Sequence, residues 1–119
     1  MELLTQDFRE RLLANGRIRE QFQRDGKAEP NFYPVVKLFT PDGPCTWLLS
    51  EIDPANHDIA FGLADLGMGC PELGSVRISE LQSVRGKLGL PVERDLYFTP
   101  SKTLSAYAEQ ARRDGCIKA

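Results

Sequence analysis

Carboxylates are the side chains through which this chain of 119 residues could do chemistry. Asp42, Glu51, Asp53, Asp58, Asp65, Glu72 and Glu80 all fall within residues 31–80, which hold seven acidic side chains against two basic ones. Residues 1–30 carry six of each sign and residues 81–119 seven basic against four acidic, so a formal charge of −2 hides an acidic middle. Two kinds of chemistry follow. Carboxylates converging on one concave pocket would hold a divalent cation and activate water, as in a small metal-assisted hydrolase; Asp53, Asp58, Asp65 and Glu72 are the candidates for that. Carboxylates spread over an open face would instead engage a basic protein or mimic the charge of nucleic acid. The candidate partner-binding residues are Glu51, Asp53, Asp58, Asp65 and Glu72, joined by Trp47, the one tryptophan. Turn preference explains part of the acidity, because aspartate favours turns.

Other constellations are thinner. His57 is the sole histidine, set between Asn56 and Asp58 in a turn-like stretch, with no cysteine or histidine at zinc-motif spacing. Asp53, Asn56 and Asp58 offer oxygens, but not at the spacing of an EF-hand loop. Gly67-Met68-Gly69 is glycine-rich, yet Cys70-Pro71 and a strand-like run follow it. No helix N-terminus is there to receive a phosphate. Cys45 and Cys70 have no base nearby in sequence that would make either a nucleophile. No catalytic residue, metal site or cofactor is assigned.

Apolar residues make up 41% and charged residues 27% of the chain, ordinary values for a globular domain and far from those of a disordered one. The expected organisation is a single domain over residues 1–119, with an N-terminal helical segment at 1–27 and an α+β core at 32–113. The longest apolar runs are too short to cross a membrane, and the acidic start lacks the pattern of a signal peptide. Three cysteines (Cys45, Cys70 and Cys116), an odd number without paired spacing, point to reduced thiols in the cytoplasm. Five arginines between Arg9 and Arg24 are matched by acids, so that segment has no basic field for nucleic acid.

These residues have to be positioned by a sheet. Tyr33–Thr40, Cys45–Ile52, Ile59–Leu66 and Leu73–Ile78 read as four strands, separated by Pro41-Asp42-Gly43, by 53–58, and by 67–71. A hairpin with Asp53 opposite Asp58 puts Leu48, Ile52, Ile59, Phe61 and Leu63 on one face, a core for a helix. Cys45, Trp47, Leu49, Ala60, Gly62 and Ala64 lie on the other, which takes a further helix or a ligand. The register of the fourth strand is open. Thr5 caps a helix running to Asp25, and Asn15-Gly16 is a place where it could split. Ser79 to Gln82 has the S-x-x-Q pattern of a capping box, opening a short helix with Leu81, Val84 and Leu88 as its stripe. Val92–Phe98 reads as a fifth strand. The last helix starts at Thr99-Pro100-Ser101, with Leu104, Tyr107, Ala108 and Ala111 facing inward and Gly115 as its stop.

The runs VVKLFTP from Val35, TWLLSE from Thr46, AFGLADLG from Ala60, PELG from Pro71, GLPVERD from Gly89 and FTP from Phe98 occur in this order. Together they resemble a small bacterial family of domains of unknown function carried by plasmids, integrative conjugative elements and phages. The likeness spans about Phe32 to Arg113 and leaves the N-terminal helix largely outside. It implies no activity and no catalytic residues. It does imply a mobile-element setting, in which small accessory proteins act by binding proteins of the host or of the element. The expectation is therefore an α+β domain: a mainly antiparallel sheet of about five strands, packed by N- and C-terminal helices and one short helix. Its expected role is that of a non-enzymatic accessory protein with a protein partner, no membrane and no direct nucleic-acid contact; the metal-assisted hydrolase is the alternative.

Overall fold

The computed structural model describes residues 2–119; Met1, where the expected N-terminal segment begins, lies outside the described residues. The elements are α1 (Gln6–Arg24), β1 (Val36–Phe39), β2 (Thr46–Asp53), β3 (Asn56–Asp65), β4 (Glu72–Arg77), α2 (Ile78–Ser83), β5 (Glu93–Arg94) and α3 (Leu104–Asp114). Five strands form one sheet in the order β4-β3-β2-β1-β5, and every pairing is antiparallel. The fold is α+β, as the residue patterns require.

Each face of the sheet carries its own core. Trp47, Leu49, Ile52 and Ala60 bury against Leu4 and Leu12 of the N-terminal segment and α1, with Ile78 and Leu81 of α2 alongside. Leu48 and Leu63 bury on the other face against Leu104, Tyr107, Ala108 and Ala111 of α3. The tryptophan face thus takes a helix. That leaves Trp47 4% exposed and without a surface to offer a partner.

Helix α1 does not split at Asn15-Gly16; it is continuous, with the Thr5 side chain accepting from the Phe8 N–H at its start. The glycine serves a close approach instead. β1 pairs with β2 only as far as Leu49, so the backbone of β2 beyond that point is open on one side. α1 lies against this stretch. Asn15 Nδ2 donates to the Ser50 carbonyl at 2.9 Å, and a Cβ on Gly16 would collide with the Ile52 carbonyl oxygen. The helix-propensity cost of glycine, about 1 kcal/mol against alanine, is accepted for that contact.

Other expectations change. Asp53 pairs with Asn56, not Asp58, which leaves Pro54 and Ala55 as a two-residue turn and places His57 and Asp58 inside β3. The register Trp47↔Ala64, Leu48↔Leu63 is as expected, but it shifts between Leu49 and Glu51. That extra residue rotates Ile52 onto the Trp47 face, the opposite of its expected side. β4 pairs Leu73 with Leu63 and Val76 with Ala60, which settles its register. The capping box does not form: Ser79 lies within α2, whose N-cap Arg77 makes no side-chain capping bond. α2 ends at Ser83, and Leu88 stands 80% exposed at a loop. The fifth strand shrinks to Glu93–Arg94 because the Asp95 side chain accepts from the Tyr97 N–H and turns the chain. α3 begins later than expected, capped by Thr103, and stops at Gly115 with φ 75°.

Candidate functional site

The carboxylates do not converge. Asp53 and Asp58 flank the β2–β3 turn, whereas Asp65 and Glu72 sit at the other end, next to the β3–β4 connection. Asp58 and Asp65 are about 23 Å apart along β3, at about 3.3 Å per residue, so a single ion cannot bind both. No group of three or more His, Cys, Asp or Glu side chains is gathered for a metal among the described residues. The arrangement a metal-assisted hydrolase would need is not formed by the four acids suggested for it.

Most of these acids anchor the fold. Asp65, 4% exposed, accepts from the N–H of Gly67 at 2.8 Å and of Ile117 at 3.0 Å, fastening the C-terminal segment to the end of β3. Asp42 accepts from the N–H groups of Leu88 and Leu90 and steadies that loop. Asp53 is exposed and closes its turn by accepting from the Ala55 N–H at 2.8 Å. Glu72 is exposed at the first position of β4.

Asp58 takes the role the capping box would have had. It accepts from the Ser79 hydroxyl at 2.7 Å and the Ser79 N–H at 2.9 Å, with Arg77 Nη1 at 3.8 Å. The Ser79 hydroxyl first and then its N–H hold the Asp58 carboxyl below its ordinary value; burial opposes them, and the charges of Arg77 and then Arg9 assist. A carboxylate whose folded pKa is depressed contributes stability in full above its unfolded value, and loses it as pH falls through the folded value. Asp58→Asn should therefore be less stable than wild type at pH 7, with the difference shrinking as pH falls below about 4. Urea midpoints measured between pH 7 and pH 3 check this. A difference that stays constant over that range would show that Asp58 acts by shape alone.

Glu51 leads to a site that residue spacing did not show. It is 5% exposed, and both its oxygens accept from Arg19 Nε, at 2.8 and 2.7 Å. Arg19 Nη1 reaches Glu29 Oε1 at 3.2 Å, and its guanidinium lies 5.6 Å from the centre of the Phe61 ring. The hydrogen bond to Glu51 raises the arginine's pKa above its ordinary value, with burial opposing and the charges of Glu51 and Glu29 assisting. Glu51, Arg19 and Phe61 meet where α1 passes the open part of β2, beyond the end of β1.

Around them α3 leaves the sheet uncovered. A cavity of about 310 Å³ is lined by Arg19, Glu20, Glu29, Glu51, Asp53 and Phe61, among others. Its four carboxylates face one guanidinium, with Pro54 and Ile59 as apolar wall. A second cavity of about 250 Å³ shares Arg19, Glu29 and Phe61 and adds Phe32, Leu73 and Leu104. A larger concavity, about 860 Å³, lies elsewhere, between the N-terminal segment and the loop after α2. There Glu2 and Glu93 balance Arg9 and Arg85, and none of the candidate residues takes part. Charge and burial therefore favour the smaller site, which gathers Glu51 and Asp53 but not Trp47, Asp58, Asp65 or Glu72. Residue spacing singles out neither Arg19, one of five similar arginines on α1 with its partner 32 residues away, nor Phe61, which reads as a core residue.

No helix among the described residues is long and apolar enough to cross a membrane. Cys45 is half-buried, and Cys70 and Cys116 are exposed; all three are free. A family model described as "Protein of unknown function (DUF2958)" matches residues 3–118, and so takes in α1 as well as the runs from Phe32 onward. No curated protein and no solved structure matches the chain.

Proposed function

The chain belongs to this family of proteins of unknown function, and from that premise we propose that it is a non-enzymatic accessory protein of a bacterial mobile element that binds a basic protein partner in the cytoplasm. The mobile-element setting rests on the resemblance of the runs quoted above. The binding reading rests on one observation: an open cavity on an uncovered part of the sheet, in which Glu20, Glu29, Glu51 and Asp53 outnumber Arg19. A partially buried, negatively charged pocket with apolar walls favours a lysine or arginine side chain, whose stem packs while its head is neutralised.

Pull-down from a host carrying the element tests this, with wild type, a Glu20→Lys/Asp53→Lys double variant and a Glu72→Lys control. Asp53 is exposed and Glu20 half-buried at the surface, but the double change also removes the Asp53 bond to the Ala55 N–H, so its urea midpoint is measured beside that of wild type to separate lost binding from lost stability. Glu51 is left intact because it is buried with Arg19. The expected result is one partner retained by wild type and by Glu72→Lys, lost from the double variant and weakened as salt rises, since surface charges are screened beyond about 8–10 Å. Equal recovery by all three proteins at both salt concentrations would remove the acidic cavity from the function.

A further inference from the structure

The two cavities over Phe61 are spaced along β4. Ser75 lines the acidic one and Leu73 the apolar one. They are two residues apart, so both side chains point to the same face of the sheet, about 6.6 Å from each other. That face is the one on which Leu73 pairs with Leu63, and Ser75 with Phe61, the residue shared by both cavities. Leu73 remains 39% exposed, and β4 is an edge strand. Arg19, Glu29 and Phe61 line both cavities, which therefore adjoin. The result is one groove with an acidic subsite and an apolar subsite, walled by α1 and the 29–32 connector and ended by Leu104 of α3.

An extended peptide places the side chains of residues i and i+2 on one side at the same spacing of about 6.6 Å. We infer that the groove takes an extended segment of a protein partner in which a basic residue and an apolar residue are separated by one position. The basic side chain enters beside Glu20, Glu51 and Asp53, and the apolar one packs on Phe61, Leu73 and Leu104. The intervening side chain points to solvent. The inference rests on the proposed binding of a basic partner and adds the shape and pattern of what is bound.

Fluorescein-labelled synthetic peptides in a Gly/Ser background, containing Lys-Ser-Leu, Leu-Ser-Lys, Lys-Leu-Ser or Lys-Ser-Ser, test it by fluorescence anisotropy on the full chain. One of the first two should bind about tenfold more tightly than Lys-Leu-Ser and Lys-Ser-Ser, the effect of partly burying one leucine side chain. The order of the favoured pair gives the direction of the segment. Leu73→Ser, at an exposed position and adding no charge beside the acidic subsite, should abolish that preference and bring the favoured peptide down to the affinity of Lys-Ser-Ser. Equal, salt-sensitive binding of all four peptides would overturn the spacing and leave the basic-partner reading standing. No binding by any peptide would overturn both.

Discussion

Trp47→Ala should lower the stability of this protein by about 3–5 kcal/mol, the range for removing a large aromatic side chain from a core. Trp47 is 4% exposed and pairs with Leu38 on one side and Ala64 on the other. It packs in the same buried cluster as Leu4, Leu12 and Ile78, which come from three different parts of the chain. Ala64 lies opposite it on β3 and Ala60 is in the same cluster, and side chains this small cannot fill the void that loss of the indole would leave. Chemical denaturation followed by circular dichroism measures the loss without needing tryptophan emission. A cost below about 1 kcal/mol would mean that the indole is not in a packed core and that the tryptophan face is again a candidate for binding.

Trp47 also shows what residue patterns can and cannot convey. Alternation along 45–52 and 59–66 places it on a largely apolar face, and the hairpin register near it is the one deduced from pairing. Helix α1, the inward face of α3 and the Gly115 stop follow from spacing and end signals alone. What is not legible depends on contacts distant in sequence. The bulge after Leu49 turns Ile52 to the other face, and nothing in TWLLSEID marks it. Gly16 looks like a helix breaker until the Ile52 carbonyl is seen against it. Ser79 looks like a cap until Asp58, 21 residues earlier, takes its hydroxyl and N–H.

The acidic middle of the chain carries the same lesson for function. Counting charges suggests a surface, but Asp42, Asp58 and Asp65 accept hydrogen bonds from backbone N–H groups, and Glu51 is held by Arg19. Composition cannot separate acids that fasten loops from acids that face a partner. The small set around the uncovered part of the sheet keeps an excess of negative charge, and it includes Glu20 and Glu29, which lie in a segment of the sequence with no net charge.

Arg19→Met should cost a further about 3–5 kcal/mol at neutral pH, because it leaves the Glu51 carboxylate buried without its cation. The Glu51 side chain is 6% exposed and that of Arg19 20%, so this pair is not a solvated surface bridge of the kind worth less than about 1 kcal/mol. Methionine keeps an unbranched apolar stem beside Phe61, so the loss reports the charge more than the packing. Adding Glu51→Leu should recover most of the loss, since a buried ion pair replaced on both sides by apolar residues is often neutral or better. Urea denaturation of wild type, both single variants and the double variant at pH 7 closes the cycle. Additive losses from the two single changes, with no recovery in the double variant, would show that Arg19 and Glu51 do not depend on each other and that the floor of the groove is not an ion pair held in common.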